Sequence, residues 1–123
     1  MIRKKIISIS YFLSIIMLIS FGISCFMESN TGQFCFINND NELIVYAKIK
    51  ICNQIFEFKD ITPHEKCNGT FKVTSDSHYT IHIVLNSGKE IKDQLGYVTY
   101  GFDYKHTIVL ADSKLSFTDI QIQ

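Results

Sequence analysis

Residues 43–51 alternate, with Ala47, Ile49 and Ile51 facing one way and Lys48 and Lys50 the other. A period of two is the mark of a half-buried strand. Residues 78–86 carry the clearest case: Tyr79, Ile81, Ile83 and Leu85 share one face, against His78, Thr80 and His82 on the other. The same period, or a short aromatic run, predicts strands over 33–38, 54–59, 69–74, 90–98, 106–111 and 115–122. Turn chemistry separates them. Asn38-Asn39-Asp40-Asn41, Ser75-Asp76-Ser77 and Asp112-Ser113-Lys114 mark turns, Asn86-Ser87-Gly88-Lys89 is a hairpin signal, and Pro63 makes 61–66 a loop.

Seven or eight short strands at this spacing, with no helical period, predict an immunoglobulin-like antiparallel β-sandwich, with a small closed barrel as the alternative. The chain has no tryptophan, so the residue that marks true immunoglobulin domains between their cysteines is missing and only the architecture is expected.

The first residues follow different rules. Arg3, Lys4 and Lys5 precede a stretch from Ile6 to Ile23 with no charge, the layout of a secretory signal or a membrane anchor helix. Gly22 and Ser24 stand at −3 and −1 to Cys25, as signal-peptidase cleavage requires. The same residues resemble a bacterial lipoprotein box, although Gly22 stands where an aliphatic residue is usual. That resemblance implies lipidation at Cys25, and through it a membrane attachment. Three readings follow: a lipoprotein of the outer membrane or periplasm, a free secreted protein, or an uncleaved anchor. The expected organisation is a signal or anchor over 1–24, a tether over 25–32 and the sandwich over 33–123.

Export changes the meaning of the four cysteines, because an oxidising compartment favours disulfides. Cys52 ends one predicted strand and Cys67 begins another, so a Cys52–Cys67 bridge around Pro63 is expected, leaving Cys35 over if Cys25 carries lipid. A loop of about 15 residues closed in this way is worth about 3 kcal/mol in the chain-entropy view.

Charge excludes one class of partner. Without Arg3, Lys4 and Lys5 the chain has nine lysines against twelve acids and no arginine, a poor basis for gripping nucleic acid. No metal or other cofactor is expected. No Cys-x-x-Cys pair exists, Asn68 stands where a His64-Glu65 metalloprotease motif needs its second histidine, and His78 and His82 are about 13 Å apart along a strand. No glycine-flanked serine elbow or phosphate loop is present. Asn68-Gly69-Thr70 is a glycosylation sequon, and it has meaning only in a eukaryotic host.

The segment from Gly96 to Tyr104 is the unusual one. Tyr97, Tyr100, Phe102 and Tyr104 fall within it, and the last three would share a face on a straight strand. Tyrosines combine apolar area with a hydrogen-bonding tip, which suits a contact surface. The layout resembles the broad group of small bacterial envelope proteins with an all-β domain. The expected role is a non-catalytic exported cell-envelope protein that binds a protein partner through an edge strand or this aromatic segment. The alternatives are a secreted, disulfide-stapled inhibitor of a host or rival enzyme, and a small periplasmic hydrolase.

Overall fold

A computed structural model describes residues 30–119. Eight strands follow one another: β1 (Thr31–Asn38), β2 (Ile44–Ile51), β3 (Gln54–Ile61), β4 (Lys66–Lys72), β5 (Ser77–Leu85), β6 (Glu90–Val98), β7 (Tyr104–Ala111) and β8 (Lys114–Asp119). They form two four-stranded sheets, in the orders β4-β1-β7-β8 and β3-β2-β5-β6. The fold is all-β, and among the described residues there is no helix and neither sheet closes into a barrel. All pairings are antiparallel except one: β1 runs parallel to β7, with Phe34 opposite His106 and Phe36 opposite Ile108.

The hairpins form where the chain can twist tightly. Cys52 and Asn53 both have positive φ, as do Asp112 and Ser113. Two consecutive left-handed residues match the right-handed twist of the flanking strands. These turns join β2 to β3 and β7 to β8. Between β5 and β6, Gly88 takes a φ of 90° and its N–H donates to the Leu85 carbonyl at 2.8 Å.

Alternation delivers the core. Ala47, Ile49 and Ile51 point inward from β2, and Tyr79, Ile81, Ile83 and Leu85 from β5, all of them buried. They meet Phe34 and Phe36 of β1, Phe71 of β4 and Ile108 of β7. Each fully buried side chain of this size contributes about 1.5–3 kcal/mol. Tyr79 is the hub of the aromatic packing, meeting Phe34 at 6.0 Å, Phe71 at 5.9 Å and Phe117 at 6.1 Å, and Phe34 is in turn edge-on to Phe56 at 5.1 Å.

Two reciprocal pairs shape the β1–β4 ladder. Gly32 stands opposite Phe71 and Phe34 opposite Gly69. Each ring lies across its partner glycine so closely that a Cβ would sit 2.2 Å from Phe71 or 2.3 Å from Phe34. Elsewhere Gln54 imitates a strand: its amide donates to the Lys72 carbonyl at 2.8 Å and accepts from the Lys72 N–H at 3.0 Å. That pair joins the edge of one sheet to the edge of the other.

Candidate functional site

Hydrogen bonds to carboxylates fix the connection between β6 and β7. The Tyr100 N–H donates to Asp76 Oδ1 at 2.8 Å. From the other side, Asp103 Oδ1 accepts from the Thr31 N–H at 2.9 Å and from Asn30 Nδ2 at 3.1 Å. The Thr31 bond, then the Asn30 bond, hold the Asp103 carboxyl below its usual range. Gly101 turns the chain at a φ of 99°.

On this pinned backbone Tyr97, Tyr100 and Phe102 are more than half exposed. Only Val45 and Ile55 join them as large exposed apolar residues among those described, so three of the five fall within six residues of chain. Tyr97 borders Asp76, and partial desolvation, followed by the negative charge of that carboxylate, raises its phenol above the ordinary value.

Tyr104 does not belong with them. The turn at Tyr100 and Gly101 interrupts the straight strand that would have put Tyr100, Phe102 and Tyr104 on one face, and β7 starts afresh at Tyr104. Its ring is half-buried against His106, with centroids 5.2 Å apart, and its hydroxyl accepts from the Thr99 N–H at 2.9 Å. Tyr104 therefore supports the loop from beneath.

The expected Cys52–Cys67 bridge does not form; both thiols are free. Cys52 is buried in the β2–β3 turn, its N–H donating to Ser77 Oγ at 3.0 Å and its Sγ lying 3.4 Å from the Ser75 carbonyl oxygen. Cys67 lies near the far end of β4, opposite Phe36. Five residues of strand separate it from Lys72, where Gln54 docks, a distance of about 17 Å. A disulfide needs Cα atoms within about 7 Å. Cys35 cannot replace Cys52, because β1 turns it outward while Cys67 packs inward with the core. The lipidation candidate Cys25 lies outside the described residues.

Asp103 and His106, three residues apart in sequence, are not brought together. Asp103 serves the start of β1. His106 is buried, with Nδ1 2.7 Å from the Tyr79 hydroxyl and Nε2 3.6 Å from Asp119 Oδ1. Among the described residues, no three His, Cys, Asp or Glu side chains converge where they could hold a metal ion. The arrangement offers a rigid apolar contact surface with two carboxylates beneath it. Sequence reasoning missed Asp76 and Asp103 as its anchors. Asp76 was visible only as a turn residue, and nothing in the chain tells which amide, 24 or 72 residues away, a carboxylate will take.

No protein-family model matches the chain, and no curated protein matches it. A solved structure that does match is an NMR structure of a protein from Eubacterium rectale, with a TM-score of 0.52 and 13% identity. The match covers 79% of this chain and 93% of that one. At such identity the likeness concerns the fold alone.

Proposed function

We propose that this chain is a non-catalytic exported envelope protein that binds a protein partner through the β6–β7 loop. One observation carries the reading: Tyr97, Tyr100 and Phe102 are exposed together on a backbone that Asp76 and Asp103 hold in place. Exposed rings on a loose loop would lose conformational freedom on binding, whereas a pinned loop has largely lost it beforehand. Export rests on the basic start, the uncharged run from Ile6 to Ile23 and the small residues before Cys25. A β-sandwich also has edge strands, which offer a second route to the same kind of partner by strand addition.

The test uses the full chain with its own leader, beside a Tyr97→Ala, Tyr100→Ala, Phe102→Ala variant whose fold is verified by its amide spectrum. Photo-crosslinking in envelope extracts reads the partner. Interface aromatics of this kind cost about 2 kcal/mol or more each on truncation, so the variant is expected to lose its cross-link. An undiminished cross-link from the folded variant overturns the aromatic-loop reading. Intact mass of the same protein, with and without Cys25→Ser, reads whether Cys25 carries a diacyl group.

A further inference from the structure

The described residues hold nine lysines and eleven carboxylates, and the two kinds of charge are used differently. Five carboxylates accept backbone N–H groups at loops: Asp40 from Glu42 and Ser113, Glu42 from Ser87, Glu65 from Thr62, Asp76 from Tyr100 and Asp103 from Thr31. Among the described residues no lysine lies within 4.0 Å of a carboxylate oxygen; the two close contacts of this kind are His82 with Glu90 and His106 with Asp119. Five of the eleven acids are thus committed to loop structure, whereas the lysines stand clear of every carboxylate among the described residues.

Three of those lysines converge. On the outer face of the β3-β2-β5-β6 sheet, Lys48 stands opposite His82 and His82 opposite Lys92. In the next row Lys50 stands opposite Thr80 and Thr80 opposite Gln94. These six side chains line a groove of about 500 Å³, and Asp93 lines it with them. Lys50 and Thr80 also border an adjoining depression of about 270 Å³ that reaches Asn53 and His78. Lys48 and Lys92 flank β5, so their backbones are about 10 Å apart, and Lys50 lies about 7 Å along the strand from Lys48. Like charges gathered on one sheet face repel, and an anion seated between them relieves the repulsion. Opposing charges are near: Glu57 stands opposite Lys48, and Glu90 Oε1 is 3.2 Å from His82 Nε2.

We propose that this groove binds a ligand carrying two or more phosphoryl groups, with Lys48, Lys50 and Lys92 supplying the charge and Thr80 and Gln94 neutral hydrogen bonds. The spacing suits separate anionic groups on a common framework, because each ammonium acts as a point charge rather than as the planar fork that grips a single carboxylate. It does not suit a nucleic-acid strand. His82 is the one ring lining the groove; it meets Tyr46 edge-on at 6.2 Å and Glu90 by hydrogen bond, leaving no platform for a base. The residues lining the groove do not include Tyr97, Tyr100 or Phe102, and the proposal does not depend on them.

Titration of the full-length protein in neutral detergent, followed by amide chemical shifts, tests this with two probes: inorganic tripolyphosphate, and micelles doped with cardiolipin, a lipid with two phosphoryl groups. Saturable shifts confined to the strands that carry Lys48, Lys50, Thr80, His82, Lys92 and Gln94 are expected. A Lys48→Gln, Lys92→Gln variant should bind about tenfold more weakly, with a shallower dependence on salt. A Lys66→Gln, Lys114→Gln variant should bind as the parent does. Response to tripolyphosphate alone assigns a soluble ligand, and response to cardiolipin alone a membrane headgroup. Shifts spread evenly over the lysines of both sheets, no saturation with either probe, or equal binding by the folded Lys48→Gln, Lys92→Gln variant would each overturn the proposal.

Discussion

The Tyr79 hydroxyl lies 2.7 Å from Nδ1 of His106, and the contact crosses the sandwich from β5 to β7. Burial, assisted by neighbouring Cys52 and the Asp119 carboxylate, drives the phenol far above its usual pKa, so it stays protonated and donates. Burial likewise lowers the imidazole pKa, with Asp119 opposing, so His106 is neutral and Nδ1 accepts. The remaining proton then sits on Nε2, which faces the Asp119 carboxylate at 3.6 Å but has no hydrogen-bond partner.

This pair makes stability depend on pH in a defined direction. His106 is held neutral in the fold, so its contribution is complete above the unfolded value near 6.5. As the pH falls, the unfolded chain takes up the proton first. Stability is then lost at up to about 1.4 kcal/mol per pH unit until the folded histidine titrates too. Urea unfolding between about pH 7 and pH 5 should show a shallower slope for His106→Gln than for the parent, because the other three histidines are common to both. Equal slopes would remove His106 as the source.

Asn38 is the other polar residue in the core. Its amide donates to the carbonyls of Glu42 and Ile61, each at 3.0 Å, and its Oδ1 accepts from the Asp40 N–H at 3.0 Å. Asn38→Ala leaves these groups without their partner, a loss of about 3 kcal/mol. Denaturant unfolding reads this directly, and a loss below about 1 kcal/mol would mean that water replaces the side chain.

The glycines opposite phenylalanines should tolerate no side chain. Gly69→Ala places a methyl group against the Phe34 ring and should cost about 1–3 kcal/mol by overpacking. Adding Phe34→Leu should give a double variant more stable than the two single losses predict, since the residues are in contact. Strict additivity would place the cost elsewhere. Gly101→Ala meets open space but must hold a φ of 99°, and is expected to cost about 1 kcal/mol through strain alone.

Thiol chemistry should separate the cysteines of the sandwich. Cys52 is buried, and Cys67 is half-buried with a thiol raised by burial first, then by Glu65 and Cys35. Alkylation of the native protein at neutral pH should therefore label Cys52 last, and non-reducing peptide mapping should find no Cys52–Cys67 cross-link. A cross-linked peptide in folded protein would require β4 to be repositioned.

The strands were legible in the sequence because each buries one face, so the alternation of Tyr79, Ile81 and Ile83 with Thr80 and His82 reports burial directly. Their neighbours were not. Phe34 and Ile108 announce inward faces, but nothing in either run tells that β1 lies parallel to β7. The cysteine pairing failed for a related reason. Cys52 and Cys67 are close in sequence, yet the extended β3 carries the chain about 26 Å away before β4 begins. The aromatic segment was legible as unusual, and three of its four rings are exposed. Tyr104 was misplaced because a positive φ at Gly101 resets the phase of alternation, and periodicity cannot see across such a turn.

The parallel pairing of β1 with β7 also sets an order in time. Strands β2, β3, β5 and β6 are joined by two local hairpins and one pairing of moderate range, so their sheet can assemble as the middle of the chain becomes available. The other sheet waits. Phe34 meets His106 across 72 residues, and closing so long a loop is slow. Until β7 emerges from the ribosome, β1 lacks one neighbour and the cover over Ala47, Ile49 and Ile81 is unfinished. The nascent molecule is thus kept from completing this domain until β7 is available, and remains for that interval a chain that can still be threaded or bound by chaperones.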